Sequence, residues 1–325
     1  LTEVVVIGAG VAGLTAAAAC VARGLSVRVV DRAAGIGPDM CSWWAGGMLA
    51  PWCERESAEE RVVVEGAGAA DWWQSHGATV VREGTLVVAN PRDRSELQRF
   101  GRRTENFERI DGARIGELEP ALEGRFGAGL FFAEECHLAP RQSLEALSAW
   151  LRANNVAVEF GVDGDDAAAL GAHGLIIDCR GLAAGLPELR GVKGEMLILR
   201  SRDVELTRTV RFLHPRHSIY LVPRGDGVFM LGATMIESDD RARVTARSML
   251  ELLGAAYALH PGFAEAEVLE IGVDARPAFS DNLPRILWRD GRLHANGLYR
   301  HGFLLSPSLG AMAADAAVSA LEKRA

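Results

Sequence analysis

Three glycines and one carboxylate carry the first chemistry legible in this chain of 325 residues: Gly8, Gly10, Gly13 and Asp31. The glycines form Gly-x-Gly-x-x-Gly directly after the β-branched run Val4, Val5, Val6 and Ile7, and Asp31 follows Gly13 by 18 residues. Each position has a physical task. Gly8 permits a tight turn, Gly10 lets backbone approach a pyrophosphate, and Gly13 lets a helix pack closely on the preceding strand. Amide groups and the dipole at the helix start favour diphosphate charge. Ala9, Val11 and Ala12 complete the backbone of the motif, and Asp31 can accept hydrogen bonds from ribose hydroxyls. This is the pattern of a dinucleotide site. It leaves NAD and FAD open, and its place at the start of the chain favours FAD only by association.

The motif requires a strand, a turn, a helix and a second strand in order. The sequence predicts them at residues 4–7, 14–22 and 25–31. Residues 4–22 carry no charge and are long enough to resemble a membrane span, but the glycines in the middle favour strand, turn and helix. Glu3 replaces the basic start of a signal peptide. Further on, helices are expected at 54–76, 92–106, 140–154, 242–260 and 305–325. Leu144, Leu147, Trp150 and Leu151 share one apolar face. Strands are expected within 78–89, with a turn at Gly84, and at 129–133, 156–162, 174–181, 267–276 and 292–296. Residues 194–200, 218–223 and 227–232 read as strands of a second sheet, and 115–120 as a short turn.

Composition excludes several function classes. Lys and Arg number 35 against 43 Asp and Glu, a net charge of −8 with no basic cluster, so nucleic-acid binding is not expected. Apolar residues make up 49% of the chain, enough to build a core and exclude general disorder. The five cysteines are an odd number with no Cys-x-x-Cys pair, which argues against a disulfide framework or thiolate zinc site. A reducing, cytoplasmic setting is expected. His214 and His217 read as loop histidines, and no metal is expected.

The order of blocks resembles the D-amino acid oxidase family of flavoproteins, nearly end to end, and within it the glycine oxidases of thiamine biosynthesis. The blocks are the glycine motif, Ser42-Trp-Trp-Ala-Gly-Gly-Met-Leu-Ala-Pro51, and Asp178-Cys-Arg-Gly181 followed by Val192-Lys-Gly-Glu195. Tyr220-Leu-Val-Pro-Arg224 and Leu231-Gly-Ala-Thr234 come next, then Gly272-Val-Asp-Ala-Arg276-Pro277 and Asn296-Gly-Leu-Tyr-Arg300-His-Gly-Phe-Leu-Leu-Ser-Pro307. His301 stands where the family commonly has Asn, and Arg285 departs from its pattern.

The resemblance implies an α/β protein with a Rossmann-like FAD-binding domain and a second α+β substrate domain on a mixed, largely antiparallel sheet. The FAD domain would comprise 1–50, 136–185 and 271–325, and the substrate domain 51–135 and 186–270. Non-covalent FAD would be held by the glycine motif with Asp31 and Arg32. Cys41, Ser42, Ala45, Gly46, Gly47 and Met48 would form the block beside the flavin. Val162, Cys179 and Gly181 would add contacts, as would Arg276, Arg300, His301, Gly302, Phe303 and Leu304. A small amino acid, foremost glycine, would place its carboxylate on Arg276, whose planar guanidinium suits a bidentate grip. Tyr220 and Arg300 could assist. Trp43, Trp44 and Trp52 could narrow the pocket, whereas Trp72 and Trp73 read as packing residues on a helix. The chemistry implied is hydride transfer from the α-carbon to flavin N5, with O2 as the second substrate and no membrane involved; a D-amino acid dehydrogenase using a quinone or other acceptor, and a non-catalytic FAD-binding protein, are the alternatives. A homo-oligomer is expected from the resemblance.

Overall fold

The computed structural model describes residues 3–166 and 174–323. Val4–Ile7 is buried along its whole length, as a strand covered on both faces must be. It lies at the centre of a six-stranded sheet in the order Arg285–Arg289, Arg292–Asn296, Leu175–Asp178, Val4–Ile7, Val27–Asp31 and Ala157–Phe160. All neighbours are parallel except the antiparallel edge pair Arg285–Arg289 and Arg292–Asn296. The Ala-rich helix Val11–Ala22 and the last helix, Gly302–Glu322, pack against each other and against this sheet. The two helices approach so closely that a Cβ on Gly310 would lie 2.7 Å from the carbonyl oxygen of Thr15. Gly302–Glu322 is long and apolar enough to cross a membrane, but Phe303, Leu305, Leu309, Ala313 and Ala317 are buried in the protein core.

The second sheet has nine strands. Eight follow the order Ile236–Glu237, Arg190–Arg200, Val228–Gly232, Ile219–Pro223, Thr209–Leu213, Thr85–Ala89, Ala128–Phe132 and Glu108–Asp111, while Glu267–Ala278 pairs with Arg190–Arg200. Only Thr209–Leu213 against Thr85–Ala89 is parallel. The mixed, largely antiparallel character is therefore as expected. A small third sheet joins Met48–Leu49, Cys136–Leu138 and Val80–Val81.

Local differences from the sequence reading have local causes. The long helix expected at 54–76 is broken into Pro51–Glu54, Glu60–Gly66 and Ala69–Ser75. Gly66 and Gly68 interrupt it, since glycine carries the largest backbone entropy cost in a helix. Residues 115–120 belong partly to a helix, Gly112–Leu118, because the Asp111 side chain accepts from the Arg114 amide and caps its start. The last helix begins three residues earlier than expected, at Gly302, and its expected end at 324–325 lies outside the described residues. Thr209–Leu213 was not anticipated as a strand; it is buried on both sides of the partly buried Arg211.

Candidate active site

One cavity of about 790 Å³ runs from the glycine motif to the face of the second sheet, within the ~300–1,000 Å³ range of small-molecule sites. The end at the glycine motif is built from backbone. Gly8 has φ +104°, and a Cβ there would meet the Cys179 carbonyl oxygen at 3.0 Å. A Cβ on Gly13 would lie 1.7 Å from the Gly8 carbonyl oxygen, so no other residue fits this helix-on-strand contact. Gly10 is the N-cap of Val11–Ala22 with no side chain capping it, and the Val11 amide donates to Ser42 Oγ at 3.0 Å. The helix start thus faces the cavity, as a diphosphate requires. Asp31 accepts from the Ala9 amide through Oδ2 at 2.6 Å and from the Ala33 amide through Oδ1 at 2.8 Å, which fixes its carboxylate at the cavity wall.

Gly8, Gly10, Val11, Ala12, Asp31, Arg32, Cys41, Ser42, Ala45, Gly46, Gly47 and Met48 all line the cavity. So do Cys179, Gly181, Tyr220, Arg276, Arg300, His301, Gly302, Phe303 and Leu304. Three expected contacts do not. Ala9 is turned to Asp31 through its amide, Gly13 is packed on Gly8, and the Val162 amide donates to the Asp31 carbonyl at 3.0 Å. Each supports the cavity wall from behind. Of Trp43, Trp44 and Trp52, Trp44 lines the cavity. Its indole N–H donates to the Pro38 carbonyl at 3.0 Å, and the Arg141 guanidinium stacks over Trp43 and Trp44. Trp73 is fully buried and donates to the Phe303 carbonyl at 2.8 Å, fastening the helix Ala69–Ser75 to the start of the last helix.

At the other end, side chains dominate. Arg276 comes from Glu267–Ala278, and its Nη1 donates to the Thr234 carbonyl at 3.1 Å. Gly194 on the adjacent strand makes room for it, because a Cβ there would lie 2.2 Å from Arg276 Nη2. Among the described residues no carboxylate pairs with Arg276. Tyr220 sits on Ile219–Pro223, with Gly46 and Gly232 against its ring. Burial raises the Tyr220 hydroxyl pKa, opposed by Arg276 and Arg211, so the phenol is a donor at neutral pH. Arg300 donates to Ser57 Oγ at 2.6 Å, and its Nη2 lies 2.8 Å from Glu54 Oε2.

Among the cavity residues that the sequence reading missed are Glu54 and Arg211. Glu54 is 7% exposed, and its Oε1 accepts from Arg211 Nη2 at 2.5 Å. Burial pushes the Glu54 carboxyl up, but Arg300 and Arg211 together outweigh it and hold the group far below the usual carboxylate range. Burial opposes the charge on Arg211, and the Glu54 carboxylate restores it and raises its pKa. The available signal was a single arginine inside the apolar run Val210-Arg211-Phe212, where only a buried partner would make it tolerable.

His301 stands 3.4 Å from Glu54 through Nδ1. Burial lowers its pKa to about 4 despite the carboxylate, so the ring is neutral at pH 7. Burial pushes the Cys41 thiol up to about 12, leaving it protonated and unreactive. Among the described residues no group of three His, Cys, Asp or Glu could hold a metal ion.

Comparison with known proteins agrees with this geometry. The family model described as DAO, FAD dependent oxidoreductase, matches residues 3–316. The chain is 53% identical over 310 residues to the Rhizobium etli protein named thiamine biosynthesis oxidoreductase ThiO, covering 94% of each chain. It is 34% identical over 127 residues to glycine oxidase of Bacillus licheniformis, 38% of this chain and 33% of that one. Among solved structures, glycine oxidase from Geobacillus kaustophilus superimposes with a TM-score of 0.79 at 22% identity, over 98% of this chain and 95% of that one. Iminodiacetate oxidase from Chelativorans sp. BNC1 gives 0.78 at 22% identity, over 97% and 95%. These last two show the same fold.

Proposed function

Since the chain belongs to the DAO family of FAD-dependent oxidoreductases, we propose that it oxidises a small amino acid, foremost glycine, to the imine, with O2 as the electron acceptor. The observation that carries this reading is Arg276: a guanidinium on the cavity wall, held by one backbone carbonyl and matched by no carboxylate among the described residues. A substrate carboxylate supplies the missing partner, with bidentate geometry that Lys could not reproduce. The protonated Tyr220 hydroxyl donates to the same carboxylate. Fixing that end of the substrate orients the α-carbon, and orientation is where much of the rate enhancement in such a reaction originates.

The residues present fit FAD. The glycine cradle and open helix start suit its diphosphate, and the uncapped start of Gly302–Glu322 offers a second positive dipole end at the cavity. When bound, FAD supplies hydride acceptance at N5 and reoxidation by O2 with release of peroxide. The released imine hydrolyses to glyoxylate and ammonia, or passes onward to thiamine thiazole synthesis. Cys41, half-buried, and Cys53, buried, both have raised pKa values, which favours non-covalent attachment. The nucleotide unit is assigned to 1–50, 136–185 and 271–325, and the substrate unit to 51–135 and 186–270. A cytoplasmic homo-oligomer completes the reading.

The test is anaerobic addition of glycine, sarcosine, D-alanine and D-proline to the purified holoprotein. Bleaching of the flavin absorbance by glycine, and peroxide formation on readmitting air, are expected. No bleaching by any of the four would overturn the reading.

A further inference from the structure

Glu54 and Arg211 form a buried ion pair inside the cavity that the proposed carboxylate grip does not use. Glu54 lies between two guanidiniums, with Oε1 2.5 Å from Arg211 Nη2 and Oε2 2.8 Å from Arg300 Nη2. Three arginines, Arg276, Arg211 and Arg300, therefore surround Tyr220 with a single carboxylate among them. His301 beside them is neutral at pH 7.

The remaining charged groups packed around this end do not cancel the excess. Arg241 pairs with Asp274, Arg99 with Glu96, Arg141 with Glu270, and the cavity-lining Glu56 with Arg103. Arg224 bonds only to the carbonyls of Gly46 and Leu138. Burial raises the pKa of Glu135, behind Cys53. The thiols of Cys41 and Cys53 stay protonated. A bound substrate carboxylate neutralises one guanidinium, and the compartment stays positive.

An α-amino acid enters from neutral water as its ammonium form, whereas loss of hydride from the α-carbon needs the nitrogen lone pair. The ammonium proton must first leave to water or buffer, giving the neutral amine. We propose that the Arg211–Glu54 pair sets this proton loss: the Arg211 charge drives the ammonium proton off, and Glu54 limits the excess that does so. Arg211 is thus a positioning charge that acts on the substrate amine through the field of the cavity. The inference rests on the amino acid oxidation proposed above.

The experiment measures the rate of flavin reduction by saturating glycine against pH, anaerobically, in the wild-type holoprotein, Arg211→Gln, Glu54→Gln and the double variant. Removing the positive charge raises the apparent pKa, and removing the negative charge lowers it. Each shift is roughly one to two pH units for a unit charge several ångströms away in a partly buried site. The double variant removes one charge of each sign and returns near the wild-type value. Arg211→Lys keeps the charge and the wild-type profile, which guards against misfolding of Arg211→Gln. Glycolate, which has the carboxylate but no amine, serves as the control, with its binding read from the flavin spectrum. Its pH dependence is expected to be the same in every variant.

Single variants that shift in the same direction, or not at all, overturn the inference. A glycolate profile that shifts with the substitutions also overturns it, because the titrating group would then belong to the protein. Failure of glycine, sarcosine, D-alanine and D-proline alike to bleach the wild-type flavin at any pH overturns the underlying reaction as well, which separates the two failures.

Discussion

The two ends of the cavity are made of different material. The nucleotide end is contiguous sequence and backbone: Gly8, Gly10, Gly13 and Asp31 fall within one strand-turn-helix-strand unit. The other end is side-chain charge gathered from distant segments, and Glu54 and Arg211 are 157 residues apart in the chain. A backbone site tolerates no added volume. A charged site tolerates volume changes better but depends on exact pairing, because an unpaired buried charge is costly. Substitutions at the two ends should therefore fail in different ways.

The largest effect is expected at Gly13. A Cβ there would lie 1.7 Å from the Gly8 carbonyl oxygen, so Gly13→Ala displaces the helix start and should yield protein without bound FAD. Its flavin-to-protein absorbance ratio after purification checks this. A full complement of flavin would show that the backbone end is softer than the geometry indicates.

At the charged end, Arg211→Met leaves Glu54 buried with half its partners. It should cost about 3–5 kcal/mol in unfolding free energy, the usual penalty for breaking a buried pair. The double variant Glu54→Gln, Arg211→Met should recover part of that loss. The exposed pair Arg82–Asp71 is nearly as short at 2.6 Å, yet its removal should cost less than about 1 kcal/mol, since solvent screens it. Denaturant titration of these proteins checks the contrast.

A smaller effect concerns pH. Burial holds both His137 and His301 at about 4, against an ordinary value of 6.5. Their contribution to stability is therefore complete above pH 6.5 and is lost as pH falls from 6.5 towards 4. Thermal midpoints should decline over that window, and His137→Asn should make the decline shallower. A slope unchanged by the substitution would assign the acid sensitivity elsewhere.

The same contrast explains what the sequence made legible. Motif residues act through local geometry that a short window contains, so the nucleotide end and the parallel sheet around Val4–Ile7 could be read directly. The Ser42 to Pro51 block and Arg276 were reached through family resemblance. Glu54 and Arg211 were not reached, because neither looks functional alone: one follows a short apolar block, and the other interrupts a strand. Only the pairing of Thr209–Leu213 with Ile219–Pro223 and the placement of Pro51–Glu54 bring them together. The break-up of the helix expected at 54–76 belongs to the same omission, since Glu54 ends the first of its pieces.

If Arg276 holds the substrate carboxylate and the glycine-motif end of the cavity holds FAD, as proposed, the two roles separate on substitution of Arg276. Arg276→Ala tests both halves in one protein, by the FAD dissociation constant and by kcat/KM for glycine. The account predicts an FAD affinity within about threefold of wild type and a kcat/KM lower by roughly 10²–10⁴-fold, the scale of a lost buried charge-assisted contact. A kcat/KM within a few-fold of wild type in an FAD-saturated variant would contradict it.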